Sequence, residues 1–295
     1  MTNPWLLAIR PKTLPASISP ILLSNVYCYT VFADRFQWPV LILTLLAAIF
    51  IQIAVNLAND YFDFKKGVDT EHRIGPKRVS QSGLIQPKTV FSVMLLSTAL
   101  AVACAGYLML IGGLPIVFLT IASVICVIWY SGGPFPLASL GLGEVTVFLF
   151  FGLVAVLATQ YLQTGNINVT GIVLGCQMGL ISASIMLVNN IRDIETDRAA
   201  HKRTLVVRLG KPTAQQLYIL LLALPFVLQT YLLLNKLVSL EMVFSFACLP
   251  LCFKLSRQIG QCQGEGYNQQ LAQTAKLLLL FALLSSAGLL VSGLH

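Results

Sequence analysis

An all-α integral membrane protein of about nine transmembrane helices is the fold class this sequence predicts, and three observations predict it. Of its 295 residues, 57% are apolar and only 10% charged, with a mean hydropathy of +0.81. A soluble domain carries roughly a quarter charged residues. The apolar residues come in long uninterrupted runs, not in the alternating strands of about ten residues that build a membrane barrel. The remaining charges gather in a few segments between the runs.

Taken in order, the runs cover roughly 16–33, 38–58, 90–111, 114–130, 143–163, 168–188, 214–234, 238–253 and 275–293. Crossing the hydrocarbon core takes about 20 residues of helix; the eighth run is short and carries Pro250. Ahead of the first, MTNPWLLAIRPKTLPAS lacks the layout of a cleaved signal peptide. With a cytoplasmic N-terminus, seventeen of the nineteen Lys and Arg residues lie inside, leaving Arg35 and Lys236 outside. That asymmetry predicts an N-in chain, and an odd number of crossings places the C-terminus outside. The net charge of +8 therefore reads as cytoplasmic loops and not as a nucleic-acid surface. Seven cysteines without a CxxC pair and three scattered histidines predict packed thiols, with neither disulfides nor a zinc site.

Seven of the eleven acidic residues fall in two segments on the predicted cytoplasmic side. The first, NLANDYFDFKKGVDTEHRIGPKR, holds Asp60, Asp63, Asp69 and Glu71 and follows the second run. The second, NNIRDIETDRAAHKRTLVVRLG, holds Asp193, Glu195 and Asp197 and follows the sixth. Asn59 and Asn189 are 130 residues apart, as are Asp63 and Asp193. Four helices between two similar segments predict an internal duplication in parallel orientation, a common construction of membrane folds. The halves are 10–140 and 141–255, followed by the helix at 275–293, all within a single domain of residues 1–295.

On a continuing helix, Asn56, Asn59, Asp60 and Asp63 share one face, and Asn189, Asn190, Asp193 and Asp197 share another. Carboxylate and amide oxygens without His or Cys select hard cations, and few protein ligands per ion favours Mg²⁺ bridging to a phosphate. Around these acids stand Lys65, Lys66, Arg73, Lys77, Arg78, Arg192, Arg198, Lys202, Arg203 and Arg208. Carboxylates holding divalent ions within a ring of Lys and Arg make a receptor for a diphosphate. Loop charge balance explains the basic residues; it does not explain acids that begin before the apolar run has ended, where an ionised group is costly.

At these residues the sequence resembles the UbiA superfamily of intramembrane aromatic prenyltransferases. That family is marked by an NDxxD-type motif after the second helix and a DxxxD motif after the sixth. They read Asn59-Asp60-Tyr61-Phe62-Asp63 and Asp193-Ile194-Glu195-Thr196-Asp197. RPKTLPAS at 10–17, NDYFDFKKGVD at 59–69, RIGPKR at 73–78, the GGPFPL and GLGE stretches at 132–144, and KRTLVVRLG at 202–210 resemble its branch acting on 1,4-dihydroxy-2-naphthoate. Many members carry a further aspartate where this chain has Gly67, and Asp69 takes that role if the loop is longer.

The resemblance implies Mg²⁺-dependent transfer of a polyprenyl group from its diphosphate to that naphthoate, with loss of CO₂ and diphosphate, giving demethylmenaquinone. It assigns Asp60, Asp63, Asp69, Asp193 and Asp197 to the metal, Asn59 and Asn189 in support, with Asp63, Asp193 and Asp197 as the catalytic set. Lys65, Arg73, Lys77, Arg78, Lys202 and Arg203, joined by Arg10, are its candidates for the diphosphate. Tyr61, Phe62, Trp129 or Tyr130 offer aromatic faces to an allylic cation or serve as interfacial anchors. Glu144 is either an acceptor contact or a partner of a helix N-terminus. The implied location is the inner (plasma) membrane, or the thylakoid membrane of a photosynthetic source. A different acceptor, such as 4-hydroxybenzoate or a tocopherol or chlorophyll precursor, and a secondary transporter are the alternatives. The second is disfavoured because the span interiors hold almost no charge.

Overall fold

The structure is a computed structural model that describes residues 3–67, 74–133 and 136–293, and every regular element among them is helical. After a short helix at Pro4–Ile9 come α1 (Leu14–Val31), α2 (Trp38–Lys65), α3 (Pro87–Trp129) and α4 (Gly143–Thr164). Then follow α5 (Val169–Arg192), the short α6 (Ile194–Ala199), α7 (Lys211–Leu234), α8 (Leu249–Gln258) and α9 (Gly266–Ser292). Six of them, α2, α3, α4, α5, α7 and α9, are long and apolar enough to cross a membrane. The eighth apolar run is a 3₁₀ segment, Leu240–Cys248, leading into α8.

The third and fourth runs lie together in α3, which breaks at Gly113. Its φ of 62° is open to glycine at no steric cost, and Pro115 two residues on has no amide to offer the next turn. Much of the outer surface is apolar: Leu110, Leu234 and Leu240 are 85%, 78% and 76% exposed. Hydrocarbon solvates such a surface and water does not.

At the centre stands α5, most of whose residues are buried. It carries glycines at 171, 175 and 179, and α4 packs on the last two through Gly152. A Cβ on Gly152 would lie 2.5 Å from the Gly179 Cα and 2.6 Å from the Gly175 carbonyl oxygen, so the backbones meet where no side chain fits. Close approach at small residues is how helices associate without a hydrophobic drive from water. At the same level α4 loosens into a π-helical turn, Leu149–Val154, which carries Phe150 and Phe151 onto a cavity wall.

Buried polar links tie the bundle at the end of α2 remote from the acids. The Gln163 amide donates to Asn25 Oδ1 and accepts from the Gln37 backbone N–H, both at 2.8 Å. Such bonds satisfy groups that would otherwise be costly in hydrocarbon. What remains open is the other end.

Candidate active site

The acid-bearing ends of α2 and α5 converge on one cavity of about 490 Å³. From α2 it takes Gln52, Asn56, Asn59, Asp63 and, one residue past the helix, Lys66. That alternating four-and-three spacing is a straight stripe along a helix. From α5 and the turn after it come Ser182, Met186, Asn189, Asn190, Asp193 and Asp197, and the segment that follows adds His201 and Lys202. Arg10, Arg78 and Tyr130 complete the polar wall.

Each carboxylate on the cavity has a cation beside it. Arg78 Nη2 donates to Asp63 Oδ2 at 2.7 Å. Arg192 forks onto Asp193, Nε to Oδ1 and Nη2 to Oδ2, both at 2.7 Å, and Nη2 also donates to Asn189 Oδ1. Lys202 Nζ lies 3.6 Å from Asp197 Oδ1. Burial pushes the Asp197 carboxyl up to about 6 against the pull of Lys202, and the neighbouring Asp193 charge adds to the rise. The Lys66 ammonium is shifted downward, again chiefly by burial, with Asp63 opposing. Its Nζ donates to the Ser131 carbonyl at 2.8 Å, while the Ser131 hydroxyl donates to Asn59 Oδ1. The loop after α3 is thereby fastened to the end of α2. Gly132 is needed there, since a Cβ would sit 3.0 Å from the Phe62 ring.

Several expected residues are placed elsewhere. Asp60 is off the cavity wall and 2% exposed, and its two oxygens accept the backbone N–H groups of Val79 and Ser80 at 2.9 Å. It stands roughly 60° round the helix from Asp63 at about 100° per residue, which turns it toward the loop that carries Arg78. Lys65, Lys77 and Arg203 are exposed and off the wall, and Lys66 is the lysine on it in place of Lys65. Asp69 and Arg73 lie outside the described residues. Tyr61 packs edge-on against Phe62 and at a tilt against Phe91, away from the cavity. Trp129 is 58% exposed, at the end of α3. Tyr130 does line the cavity, where its hydroxyl meets Met186 Sδ at 3.3 Å, and burial raises the phenol's pKa so that it keeps its proton. Glu144 is buried just behind the wall, accepting from Asn190 Nδ2 at 2.8 Å, while its second oxygen has no partner. Arg192 belongs to the basic ring around the acids but not to the individual diphosphate candidates; it grips Asp193 and Asn189 instead, and its place directly before Asp193 is the signal for that role.

A second cavity of about 190 Å³ shares Ile51, Ser123, Phe150 and Phe151 with the first. It is lined almost wholly by apolar side chains, many of them small: Ala47, Ala48, Ala101, Ala105, Ala155 and Ala158. Leu108, Ile116 and Leu162, part of a packed cluster with Val40, stand among its far walls. A charged chamber thus adjoins an apolar one across a shared wall. That division suits an amphiphile with an anionic head and a hydrocarbon tail.

Comparison with known proteins agrees with this arrangement. The UbiA prenyltransferase family matches residues 17–280, and the chain belongs to that family. It is an integral membrane prenyltransferase. Among similar proteins, the 1,4-dihydroxy-2-naphthoate octaprenyltransferase of Mycobacterium tuberculosis is 35% identical over 292 residues, covering 98% of this chain and 97% of the relative. The enzyme of the same name from Escherichia coli is 33% identical over 307 residues, 99% and 96% of the two chains. A UbiA homolog from Aeropyrum pernix superposes with a TM-score of 0.70 at 15% identity, over 93% of this chain and 97% of that one. One from Archaeoglobus fulgidus, bound to DMAPP and Mg²⁺, gives 0.69 at 17% identity, over 98% and 100%. These last two share the fold.

Proposed function

We propose that the protein transfers a polyprenyl group from its diphosphate to 1,4-dihydroxy-2-naphthoate, releasing diphosphate and CO₂ and giving demethylmenaquinone in its dihydroxy form. The observation that carries the reading is the cavity onto which Asp63, Asp193 and Asp197 converge with Arg78, Lys66 and Lys202, adjoining an apolar chamber. The naphthoate acceptor rests on the similarity to the octaprenyltransferases above.

The donor set fits Mg²⁺. Among the described residues no three His, Cys, Asp or Glu side chains are drawn together tightly enough to hold an ion alone. Asp63 with Asn59 stands on one wall, Asp193 and Asp197 with Asn189 on the other. These five would hold the metal, consistent with an ion that takes few protein ligands and completes its shell from phosphate. When bound, Mg²⁺ neutralises the charge that builds on departing diphosphate. Lys66, Arg78, Lys202 and Arg10, all lining the same cavity, stabilise that charge as the allylic C–O bond breaks and its electron pair passes to oxygen. Phe150, Phe151 and Ile51 stand between the charged chamber and the apolar one and keep water from the allylic carbon. The ring carbon bearing the carboxylate attacks that carbon, the carboxylate leaves as CO₂, and the ring regains aromaticity. Tyr130 offers its ring to the developing cation, and Glu144 orients Asn190 toward the acceptor.

We read the chain as nine crossings with N-terminus and both motifs cytoplasmic, C-terminus outside, in the inner membrane or a thylakoid membrane. The Lys and Arg distribution supports that topology. The equal spacing of the motifs supports a duplication of 10–140 and 141–255. A direct test gives membranes holding the protein a labelled prenyl diphosphate with separate aromatic acids. Prenylated naphthoate is expected with Mg²⁺, and none after chelation. Product with 4-hydroxybenzoate alone reassigns the acceptor.

A further inference from the structure

Arg192 is the last residue of α5, and its side chain is only 2% exposed. Two of its N–H groups hold Asp193 and Asn189, as described, and Nη1 donates at 2.8 Å to Oδ1 of Asn268 on α9. The other end of the Asn268 amide, Nδ2, donates at 3.0 Å to the carbonyl of Ile74. Ile74 lies four residues before Arg78, whose guanidinium reaches Asp63. One side-chain amide thus links the second acid motif to the segment that returns to the first.

The orientation of this amide is fixed by chemistry. A guanidinium only donates and a peptide carbonyl only accepts, so Oδ1 must face Arg192 and Nδ2 must face Ile74. An aspartate in its place would satisfy Arg192 and confront the Ile74 oxygen with another acceptor; an alanine would serve neither. Asn268 is not on the cavity wall, so it acts on bound ligand through its two partners.

We propose that Asn268 is a positioning residue that sets the spacing of the two acid-bearing walls and so the grip on the metal-bound diphosphate. The inference rests on the diphosphate reading above. It places no demand on the acceptor side, where Asn190 and Glu144 sit. Groups behind a metal's ligands are worth roughly 10- to 100-fold in metal affinity or activity.

The test uses the full chain in lipid nanodiscs, with calorimetric binding of a non-hydrolysable geranyl thiodiphosphate in the presence of Mg²⁺. Asn268→Ala should weaken that binding about tenfold while the KM for the aromatic acceptor stays within about twofold. Asn268→Asp should retain the affinity for Mn²⁺ alone, read by electron paramagnetic resonance, and still lose diphosphate affinity. Wild-type binding of the thiodiphosphate by both variants overturns the proposal, as does a parallel rise in the acceptor KM. Asp63→Asn serves as the control. If it too binds the thiodiphosphate normally, the diphosphate reading itself has failed; if it loses binding while both Asn268 variants keep it, only the positioning role has.

Discussion

Asp63→Asn and Asp193→Asn are each expected to lower prenyl transfer by about a thousandfold or more, with the protein remaining in the membrane at wild-type abundance. The size follows from the chemistry. Removing one group that stabilises developing negative charge costs roughly 10²–10³ in rate, and here the metal's neutralising charge is lost with it. Asparagine is chosen over alanine for a structural reason. Arg78 and Arg192 are buried to within 5% and 2% of full burial at the side chain, and each is held by the aspartate in question. Stripping a buried cation of its partner costs about 3–5 kcal/mol, enough to confuse lost catalysis with lost folding. The amide keeps an oxygen for the arginine while surrendering the charge that holds the metal. Turnover of labelled prenyl diphosphate, normalised to protein by immunoblot, makes the measurement. Near-normal activity in either variant refutes the ligand assignment.

Ala158→Phe is expected to separate long substrates from short ones. Ala158 lines the apolar chamber on the same helix as Phe151, which stands at its junction with the charged cavity. Seven residues of helix separate them, or about 10 Å, so the substituted ring falls well beyond the reacting carbon. It displaces the tail and leaves the head group's surroundings alone. Expelling even four methylene equivalents, at about 0.8 kcal/mol each, amounts to about 3 kcal/mol, or roughly 200-fold in kcat/KM at 1.4 kcal/mol per decade. Geranyl diphosphate should stay within a few-fold of wild type. Steady-state kinetics with the two donors gives the answer. An equal fall for both points to disturbed folding, and no fall for the long donor removes the chamber from the substrate's path.

The contrast between these two sites explains what the amino-acid sequence discloses. Asn59, Asp63, Asn189, Asp193 and Asp197 are legible because helical periodicity and the membrane's intolerance of charge both single them out. Neighbouring positions are not, since adjacent residues differ by about 100° around the axis. Lys66 on the wall and Lys65 off it are separated by that turn, and so are Asn59 and Asp60. The fate of Asp60 depends on where a later loop returns, which puts the Val79 and Ser80 amides against it. Arg192 and Asn268 meet across 76 positions, and nothing local marks either one as a partner of the other. The apolar chamber is hidden for a different reason. Hydropathy scores an alanine that leaves space much as it scores a leucine that fills it, so six alanines around a void read as ordinary membrane helix. The long helices, by contrast, follow directly from the length of the apolar runs, and the break in α3 falls at the glycine between two of them.

If α2 and α5 hold one metal-bound diphosphate between them, Mn²⁺ in place of Mg²⁺ reports it. Pulsed electron paramagnetic resonance on the reconstituted protein, loaded with Mn²⁺ and geranyl thiodiphosphate, reads the coupling between the ion and phosphorus. A strong ³¹P coupling is expected in the wild type, lost in both Asp63→Asn and Asp193→Asn. A coupling that survives unchanged in either variant would mean that the diphosphate is gripped from one wall alone.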